Sequence, residues 1–570
     1  MTPYTKGKKI AGPIRRLEGH SMKMALAQIN TRIADFSGNT AKILRKTEQA
    51  VAQGADLVIF PEMATCGYPP RDLLLREDFL RANERAMAHL QARCPAGAAM
   101  LVGTICRNTI SRGRKCFNSA ALIHEGRVAC WSHKSLLPDY DVFDETRYFE
   151  PFLAKTPCTL HGLCLGITVC EDIWYYEQGG DRAYAYDPVK VLTRCGADII
   201  INISASPFTK EKYTERQRLI RHISHTYDVP LVYTNLVGGN DSLVFDGYSM
   251  VFHPQSGFAR VLAGFAEDMT LIDTDTLDRE EPARDSHHPV GAVVKALITG
   301  LGDYVRKCGF SRAIVGLSGG MDSALVAYIA ARALGPENVL ALSLPTAYSS
   351  QASVSDAREL ADNLGIAFEV IDIEPLYQSY TKQLAQAVPF RLDTTYQNLQ
   401  ARIRGNILMA HANRQNRILL STGNKSETAT GYATLYGDMA GGLSVISDIT
   451  KTDVYRIARY INRKHTVIPQ SIIDKPPSAE LKPDQRDSDD LPPYDLLDKV
   501  IGLYIEEGWS VDDIVARGFD RAVVARCVAL FERNEYKRRQ AAPGLKITTK
   551  AFGFGRRFPL TAKSLLHDQP

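Results

Sequence analysis

The chain has 570 residues, of which 45% are hydrophobic and 23% are charged. This length exceeds what one hydrophobic core usually serves, so at least two folded domains are expected. The formal net charge of +4 is too small to indicate a nucleic-acid partner. No apolar run is long enough to span a bilayer, so no membrane segment is predicted either.

The N-terminal residues 1–21 are basic and lack the apolar stretch of a signal peptide. We interpret this segment as a flexible extension. Eleven cysteines are scattered along the chain without a CxxC pair, which disfavours a zinc site or a redox motif and is typical of a reducing cytosol. A cytoplasmic protein is therefore expected.

Short apolar segments of the first half, residues 22–272, predict an α/β domain. Asn39 is predicted to cap a helix that ends near Gly54. A hairpin is predicted to turn at Glu125-Gly126. The predicted strands are residues 24–29, 56–60, 100–105, 165–169, 198–202, 230–235 and 244–252. Residues 273–289 are charged and lack apolar periodicity, which predicts a linker.

Strands and helices alternate in the second half, residues 290–570. The predicted strands are residues 313–317, 338–344, 368–372 and 418–422, and a helix is predicted to start at Ser323. Apolar residues recur at helical spacing from Ala357 to Leu364 and mark the buried face of another helix. This alternation predicts a doubly wound parallel sheet with helices on both faces. Ligands of such sheets bind beyond the carboxyl ends of the strands.

The segment from Ser318 to Ser323, Ser-Gly-Gly-Met-Asp-Ser, lies between a predicted strand and a predicted helix. Two glycines let the backbone approach a ligand closely, and the N-terminus of the helix attracts phosphate. Asp322 can hold a divalent cation. A Gly-Gly turn alone is more often structural, but the whole hexapeptide in this context favours a nucleotide site. It resembles the pyrophosphate-binding loop of ATP pyrophosphatases, which NAD, GMP and asparagine synthetases share.

Later segments resemble NAD synthetases specifically, among them residues 398–404, 421–427, 436–438 and 475–480. That resemblance implies residues that contact deamido-NAD, namely Asn398, Glu427, Asp438 and Lys537. It implies a larger set that contacts ATP, namely Gly316, Leu317, Ser318, Gly319, Gly320, Met321, Asp322, Ser323, Leu344, Arg404, Thr422, Lys451 and Ser478. Asp322 and Glu427 would face Mg²⁺, which two polyphosphates and a carboxylate require.

Three residues of the first half, Glu62, Lys134 and Cys170, each lie at or near the end of a predicted strand or hairpin. Taken singly they would be surface or core residues. In this order they resemble the Glu–Lys–Cys triad of the nitrilase superfamily, which implies an α-β-β-α sandwich. The thiolate would attack an amide, Glu62 would take its proton and Lys134 would stabilise the oxyanion. Glu145 resembles the second glutamate of that superfamily, which positions the lysine.

A further segment, residues 202–212, resembles the glutamine-binding part of synthetase-linked amidases. With it, Tyr140, Ser206 and Lys212 match positions that hold glutamine. Tyr140 could equally be a core ring with a solvated hydroxyl.

Together these features resemble the glutamine-dependent NAD synthetases. The resemblance implies that glutamine supplies ammonia, and that ATP adenylates deamido-NAD before ammonia completes the amide. A homo-oligomer without nucleic-acid or membrane partners is expected. Two alternatives stay open: a GMP-synthetase-like amidotransferase, and a nucleotide-binding module without catalysis. The basic clusters at 537–539 and 556–557 could be solvated faces or phosphate contacts.

Overall fold

The computed structural model describes residues 21–110, 112–176, 184–279, 287–389, 391 and 393–563. The predicted N-terminal extension, except Ser21, lies outside the described residues, as do residues 280–286 of the predicted linker. Within the described part of the chain, no helix is both long enough and apolar enough to cross a membrane.

The first half contains two six-stranded sheets and a short ribbon. Its strands are β1 (Lys23–Gln28), β2 (Leu57–Ile59), β3 (Ala99–Arg107), β4 (Cys116–His124), β5 (Arg127–His133), β6 (Cys158–Leu160), β7 (Leu163–Val169), β8 (Ile199–Ser204), β9 (Leu231–Asn235), β10 (Val237–Asn240), β11 (Leu243–Asp246), β12 (Met250–His253), β13 (Gly257–Val261) and β14 (Asp268–Asp273). One sheet has the order β14-β1-β2-β3-β4-β5 and the other β13-β12-β9-β8-β7-β6, while β10 pairs with β11.

Helices cover the outer face of each sheet, and the inner faces pack on each other. The helices of this half are α1 (Phe36–Val51), α2 (Glu77–Ala92), α3 (Pro188–Arg194) and α4 (Lys212–Tyr227). Along β1, Leu26 points into the core between the sheets, whereas Ala25 and Ala27 pack towards α1 and α2. The second sheet alternates in the same way, because Ile201 faces the inter-sheet core and Ile200 packs with α3 and α4. The predicted α-β-β-α sandwich is confirmed.

The second half is built on a parallel sheet covered on both faces. Its strands are β15 (Ala313–Gly316), β16 (Val339–Ser343), β17 (Ala367–Val370), β18 (Ile418–Ser421) and β19 (Leu443–Ser444), in the order β17-β16-β15-β18-β19. The helices are α5 (Pro289–Lys307), α6 (Met321–Leu334), α7 (Gln351–Leu364), α8 (Glu374–Leu384), α9 (Thr394–Gln415), α10 (Lys425–Thr430), α11 (Lys451–Ile461), α12 (Gln470–Asp474), α13 (Tyr494–Ile501), α14 (Val511–Ala516), α15 (Arg521–Arg533) and α16 (Glu535–Arg538).

The strand β15 shows why both faces are covered. Its Val315 packs with α5 and α6, whereas Ile314 packs with α8 and α9. Every strand pairing in this sheet is parallel. The predicted doubly wound parallel domain is therefore confirmed.

The two halves share a packed boundary centred on α5. Gly300 of this helix lies against Gly239 of β10, where an added Cβ on Gly239 would sit 3.1 Å from the Gly300 Cα. At the end of the helix, the Lys307 ammonium donates to the carbonyl of Gly239 at 2.6 Å and to the side chain of Asn240 at 2.9 Å. Phe208 of the first half belongs to the apolar core of the second. The boundary is thus packed like a domain interior.

Three local predictions for the first half of the chain differ from the structure. Asn39 is not the helix cap, because Asp35 accepts the Gly38 N–H and Asn39 lies inside α1, bonded to the Thr65 carbonyl. The predicted strand 244–252 is two strands, since the chain leaves the β10–β11 ribbon at Gly247 and then joins the second sheet.

The third difference concerns the thiols. Cys130 on β5 and Cys158 on β6 form a disulfide with a Cα–Cα distance of 6.1 Å, although scattered cysteines in a reducing compartment were expected. The two residues are 28 positions apart and meet only across the two sheets, so their spacing carried no signal. The cytoplasmic location stays a prediction.

Candidate functional site

Cys170 occupies a sharp bend directly after β7. Its φ of 45° lies in the left-handed region, which is uncommon outside glycine and asparagine. The residue is 5% exposed and opens a 3-10 turn that runs to Tyr176. Asn202 donates its side-chain N–H to the Cys170 carbonyl at 3.3 Å. A strained, supported residue at the end of a buried strand is a common arrangement for a nucleophile.

Lys134 and two glutamates form a buried cluster. The Lys134 ammonium donates to Glu62 at 2.8 Å and to Glu145 at 2.9 Å, and all three side chains are almost fully buried. Glu62 also accepts the Asn118 amide at 2.6 Å and the Ala205 backbone N–H at 2.8 Å. These donors fix the Glu62 carboxylate. Glu62 follows β2, whose sheet packs against the sheet that carries Cys170.

The charges of this cluster act on the Cys170 thiol. Burial raises the pKa of the Cys170 thiol well above its usual range, the Glu62 carboxylate raises it further, and the Lys134 ammonium lowers it. Burial opposes the charge of Lys134, but Glu145 and Glu62 outweigh it and hold the lysine pKa high. Burial raises the pKa of Glu145 to about 7. The group therefore combines a nucleophile with a cation and a carboxylate able to accept its proton.

Tyr140 contacts the residue that follows the nucleophile. Its hydroxyl donates to both carboxylate oxygens of Glu171 at 3.1 Å, and the Tyr184 hydroxyl donates to the same carboxylate at 2.8 Å. Tyr140 is half-buried, and its hydroxyl faces Glu171. A carboxylate flanked by two hydroxyls can recognise an ammonium group.

Lys212 and Ser206 come from the segment after β8. Lys212 begins α4, and its ammonium lies 3.6 Å from the centre of the Trp174 ring. Ser206 is buried, and its backbone N–H donates to the side chain of Asn235 at 2.9 Å. Both residues follow the carboxyl end of β8, and Cys170 follows the carboxyl end of its parallel neighbour β7. The fold thus brings all three to the same end of the sheet.

The Ser318–Ser323 segment connects β15 to α6, as predicted, although the helix starts at Met321 rather than at Ser323. Gly319 has a φ of +77°, and a Cβ there would lie 2.2 Å from the Ser353 carbonyl oxygen. Glycine is therefore required at this position on two counts. The Ser318 hydroxyl lies 3.1 Å from that of Ser323 and closes the turn.

Asp322 lies in a group of charged residues at the carboxyl end of the sheet. Its carboxylate accepts the Asn424 amide at 2.9 Å and pairs with the Lys451 ammonium, which also lies 3.4 Å from Glu427. Burial and the Asp322 charge raise the pKa of Glu427 to about 8. The pKa of Glu427 is raised by burial and also because one ammonium does not balance two neighbouring carboxylates. A further cation beside Asp322 and Glu427 would therefore be favoured. In the described part of the chain, no cluster of three or more potential metal-binding side chains is found.

All residues predicted to contact ATP or deamido-NAD line one cavity of about 600 Å³. The nucleotide set is Gly316, Leu317, Ser318, Gly319, Gly320, Met321, Asp322, Ser323, Leu344, Arg404, Thr422, Lys451 and Ser478, and the dinucleotide set is Asn398, Glu427, Asp438 and Lys537. The Ser318–Ser323 segment and the dinucleotide set line the same cavity, so the cavity can hold two substrates side by side.

The dinucleotide set is held largely by backbone contacts. The Thr434 hydroxyl donates to Asn398 at 2.7 Å, and the Thr434 N–H donates to Asp438 at 2.6 Å. Lys537 donates to two carbonyls of residues 431–433, and burial lowers its pKa. The Asp438 carboxyl opens onto the cavity, and desolvation by the walls raises its pKa to about 6. In the nucleotide set, Arg404 donates to the Leu344 carbonyl at 2.9 Å.

Comparisons with known proteins agree with this geometry. A family model for carbon-nitrogen hydrolases matches residues 23–283, and one for NAD synthases matches residues 293–541. The glutamine-dependent NAD(+) synthetase of Synechocystis sp. is 46% identical, over 94% of this chain and 98% of that protein. The chain belongs to the glutamine-dependent NAD(+) synthetase family.

Two further members of the family show the same extent of similarity. The synthetase of Thermotoga maritima is 41% identical, over 95% of this chain and 98% of that protein. The structure of the Acinetobacter baumannii synthetase in complex with ADP is 37% identical, covers 95% of this chain and 98% of that chain, and superimposes with a TM-score of 0.75. The predicted family and its ligase class are confirmed, and near-complete coverage of these relatives argues against a GMP-synthetase-like enzyme.

Sequence reasoning missed several residues that complete the two sites. Asn118 supports Glu62, Tyr68 donates to Glu145 at 2.8 Å, and Asn424 supports Asp322. Glu171 directly follows the nucleophile and was not predicted as a site residue, although Tyr140 donates to it. Asn424 and Glu427 form a capping box at the start of α10, and this spacing could have been recognised in the sequence. The other contacts join distant segments and leave no local pattern.

The two basic clusters are not simply solvated faces. Lys537 lines the cavity, and Arg538 is buried, donating to the Ala429 carbonyl at 2.7 Å. Arg556 pairs with Glu535. Arg539 and Arg557 are exposed, so the two clusters divide between buried contacts and a solvated surface.

Proposed function

We propose that the first site hydrolyses L-glutamine to glutamate and ammonia, and that the cavity uses this ammonia with ATP to convert deamido-NAD to NAD. The observation that carries the proposal is the convergence of Glu62, Lys134 and Cys170, remote in sequence, around one buried thiol in a member of this family. A nucleotide-binding module without catalysis would have no use for this arrangement.

In the glutaminase reaction, Glu62 takes the Cys170 proton as the sulfur attacks the amide carbon. The oxygen of the tetrahedral intermediate is stabilised by the Lys134 ammonium. Glu62 returns the proton to the leaving nitrogen, so ammonia departs and a thioester forms. Water, deprotonated by Glu62, then releases glutamate and restores the thiol. Tyr140, Ser206 and Lys212 would hold the amino-acid part of glutamine.

In the cavity, the Gly319–Asp322 turn would bind the ATP phosphates with backbone N–H groups and Lys451. The nicotinate carboxylate attacks the α-phosphorus, pyrophosphate leaves, and ammonia then displaces AMP to form the amide. Asp322 and Glu427 would hold Mg²⁺ together with phosphate oxygens, and the ion would neutralise charge on the leaving pyrophosphate. The ADP bound to the Acinetobacter baumannii relative supports a nucleotide in this fold.

The test is NAD formation from deamido-NAD and ATP with either glutamine or ammonium as the nitrogen source. Cys170→Ala should abolish the glutamine-dependent reaction and retain the ammonium-dependent one, because the thiol serves only the first site. Cys195→Ala, which changes an exposed thiol, is the matched control and should behave as the wild type. An equal loss of NAD formation with glutamine and with ammonium would overturn the assignment of Cys170 to the first site alone. The homo-oligomer and the cytoplasmic location remain proposals from the sequence alone.

A further inference from the structure

Two loops that carry the proposed glutamine-binding residues each touch the synthetase half of the chain. We define the first loop as residues 138–145, which include Tyr140 and Glu145. The second loop is residues 205–212, which include Ser206 and Lys212. Each loop is joined to the other half by an ion pair that the mechanism above does not use.

In the first loop, Asp141 pairs with Lys546 at 2.9 Å, and the two side chains are only 14% and 4% exposed. The Lys546 ammonium also donates to the carbonyls of Thr548 at 2.6 Å and Thr549 at 2.9 Å. These bonds fix the ammonium within the synthetase half. Lys546 is therefore a rigid anchor, and Asp141 is the group that it holds.

The backbone of Asp141 is strained in a way that such an anchor would maintain. Its φ is 50°, and it lies in a turn closed by the Phe143 N–H on the Tyr140 carbonyl at 2.9 Å. Gly555 allows the approach, because a Cβ there would lie 2.4 Å from the Asp141 carboxylate. Strained residues persist where their surroundings impose the conformation. Here the local hydrogen bond of the turn is joined by contacts from Lys546 and Gly555 of the other half of the chain.

The second loop has an equivalent link. Lys210, between Ser206 and Lys212, pairs with Asp453 near the start of α11, and both side chains are mostly buried. The Lys210 backbone N–H also donates to the Ile547 carbonyl at 3.1 Å, one residue beyond Lys546. The same segment of the synthetase half thus contacts both loops.

We propose that Asp141–Lys546 and Lys210–Asp453 are positioning pairs through which the synthetase half holds both glutamine-binding loops in place. None of these four residues is assigned a contact with glutamine. They act through their neighbours, Asp141 through Tyr140 and Lys210 through Ser206 and Lys212. The consequence is that glutamine affinity depends on contacts with the other half of the chain. The proposal rests on the proposed function of the first site.

The decisive variant is Asp141→Asn. Asparagine tolerates a left-handed φ and keeps the size of the side chain, so the substitution removes the charge alone. The KM for glutamine should rise about tenfold, which corresponds to about 1.4 kcal/mol. The ammonium-dependent reaction should keep its kcat and its KM for ATP. A general loss of stability would instead lower both reactions together.

Asp144→Asn is the matched control, because Asp144 lies on the same loop but faces Arg557 at 3.6 Å with both side chains more exposed. Its glutamine KM should stay within twofold of the wild type. A glutamine KM for Asp141→Asn that is also within twofold would overturn the proposal. So would an equal loss with ammonium.

A double-mutant cycle then tests whether the pair acts as a unit. The effects of Asp141→Asn and Lys546→Gln on the glutamine KM should be strongly non-additive, whereas independent effects that simply multiply would refute the pairing. Asp453→Asn should raise the same KM, and an unchanged value would remove the second pair from the proposal. If the wild type makes NAD from ammonium but not from glutamine, the proposed function fails, and the positioning of the loops is not the cause.

Discussion

Lys134→Met probes the glutaminase site most directly, because this lysine contacts both buried glutamates beside Cys170. The substitution removes an ammonium that contacts Glu62 at 2.8 Å and Glu145 at 2.9 Å, on a side chain that is 1% exposed. Losing an oxyanion donor typically costs about 10²–10³ in kcat. We therefore expect glutamine-dependent synthesis to fall at least about a hundredfold, while ammonium-dependent synthesis continues.

The same variant should raise the pKa of the Cys170 thiol. Lys134 lowers that pKa, so its removal acts upwards. Without the ammonium, one of the two carboxyls takes a proton, and Glu145 is the better candidate because burial already raises its pKa to about 7. Neutral Glu145 no longer raises the thiol pKa, but its effect is smaller than that of Lys134. The net shift is upward.

Iodoacetamide labelling of Cys170 across pH measures this shift, because only the thiolate reacts. The labelling curve of Lys134→Met should move to higher pH than that of the wild type. Glu145→Gln is a control of opposite sign, since it removes a carboxylate that raises the thiol pKa, and its curve should move to lower pH. Removing one partner of a buried ion pair costs about 3–5 kcal/mol, so retained ammonium-dependent synthesis must show that the variant is folded. Superimposable curves would refute the electrostatic role of Lys134.

Two further predictions concern the cavity. Asp322→Asn should slow synthesis on the order of a hundredfold with either nitrogen source. The reason is that the Mg²⁺ that Asp322 would hold serves ATP in both reactions. Near wild-type turnover at saturating Mg²⁺ would contradict that role. Gly319→Ala should raise the KM for ATP with both nitrogen sources, since the new Cβ would meet the Ser353 carbonyl at 2.2 Å. Gly309→Ala, also at positive φ but with open space around it, measures the cost of such a Cβ to the unfolding midpoint alone, and an unchanged KM for ATP in Gly319→Ala would refute the steric argument.

The sequence predicts the central strands of the sheets best, because these strands are buried on both faces. A strand such as β8, with its run of isoleucines, is apolar on both faces and stands out from its surroundings. The prediction fails where several residues compete for one role. Asp35 and Asn39 can both cap a helix, and only the packing of Asn39 against the Thr65 carbonyl decides between them. The broken strand 244–252 was missed because both pieces are equally apolar.

The candidate sites show a similar division. Glu62, Lys134 and Cys170 were identified by resemblance to a family, since nothing in their spacing brings them together. The structure adds what a linear motif cannot contain, such as Asn118 on β4 and the Ala205 N–H after β8, which fix Glu62 from two other strands. Contacts between the halves were beyond prediction for the same reason.

The boundary between the halves has a consequence for how the glutaminase site is assembled. Val244 of the ribbon and Leu545 of the C-terminal segment belong to the same apolar core as α5, and both side chains lie against Gly300. A shared core of this kind keeps two domains in one arrangement, whereas polar boundaries allow them to move. Lys546 directly follows Leu545, so the burial of one residue places the next one beside Asp141. The packing at the boundary therefore helps to determine the position of the first glutamine-binding loop.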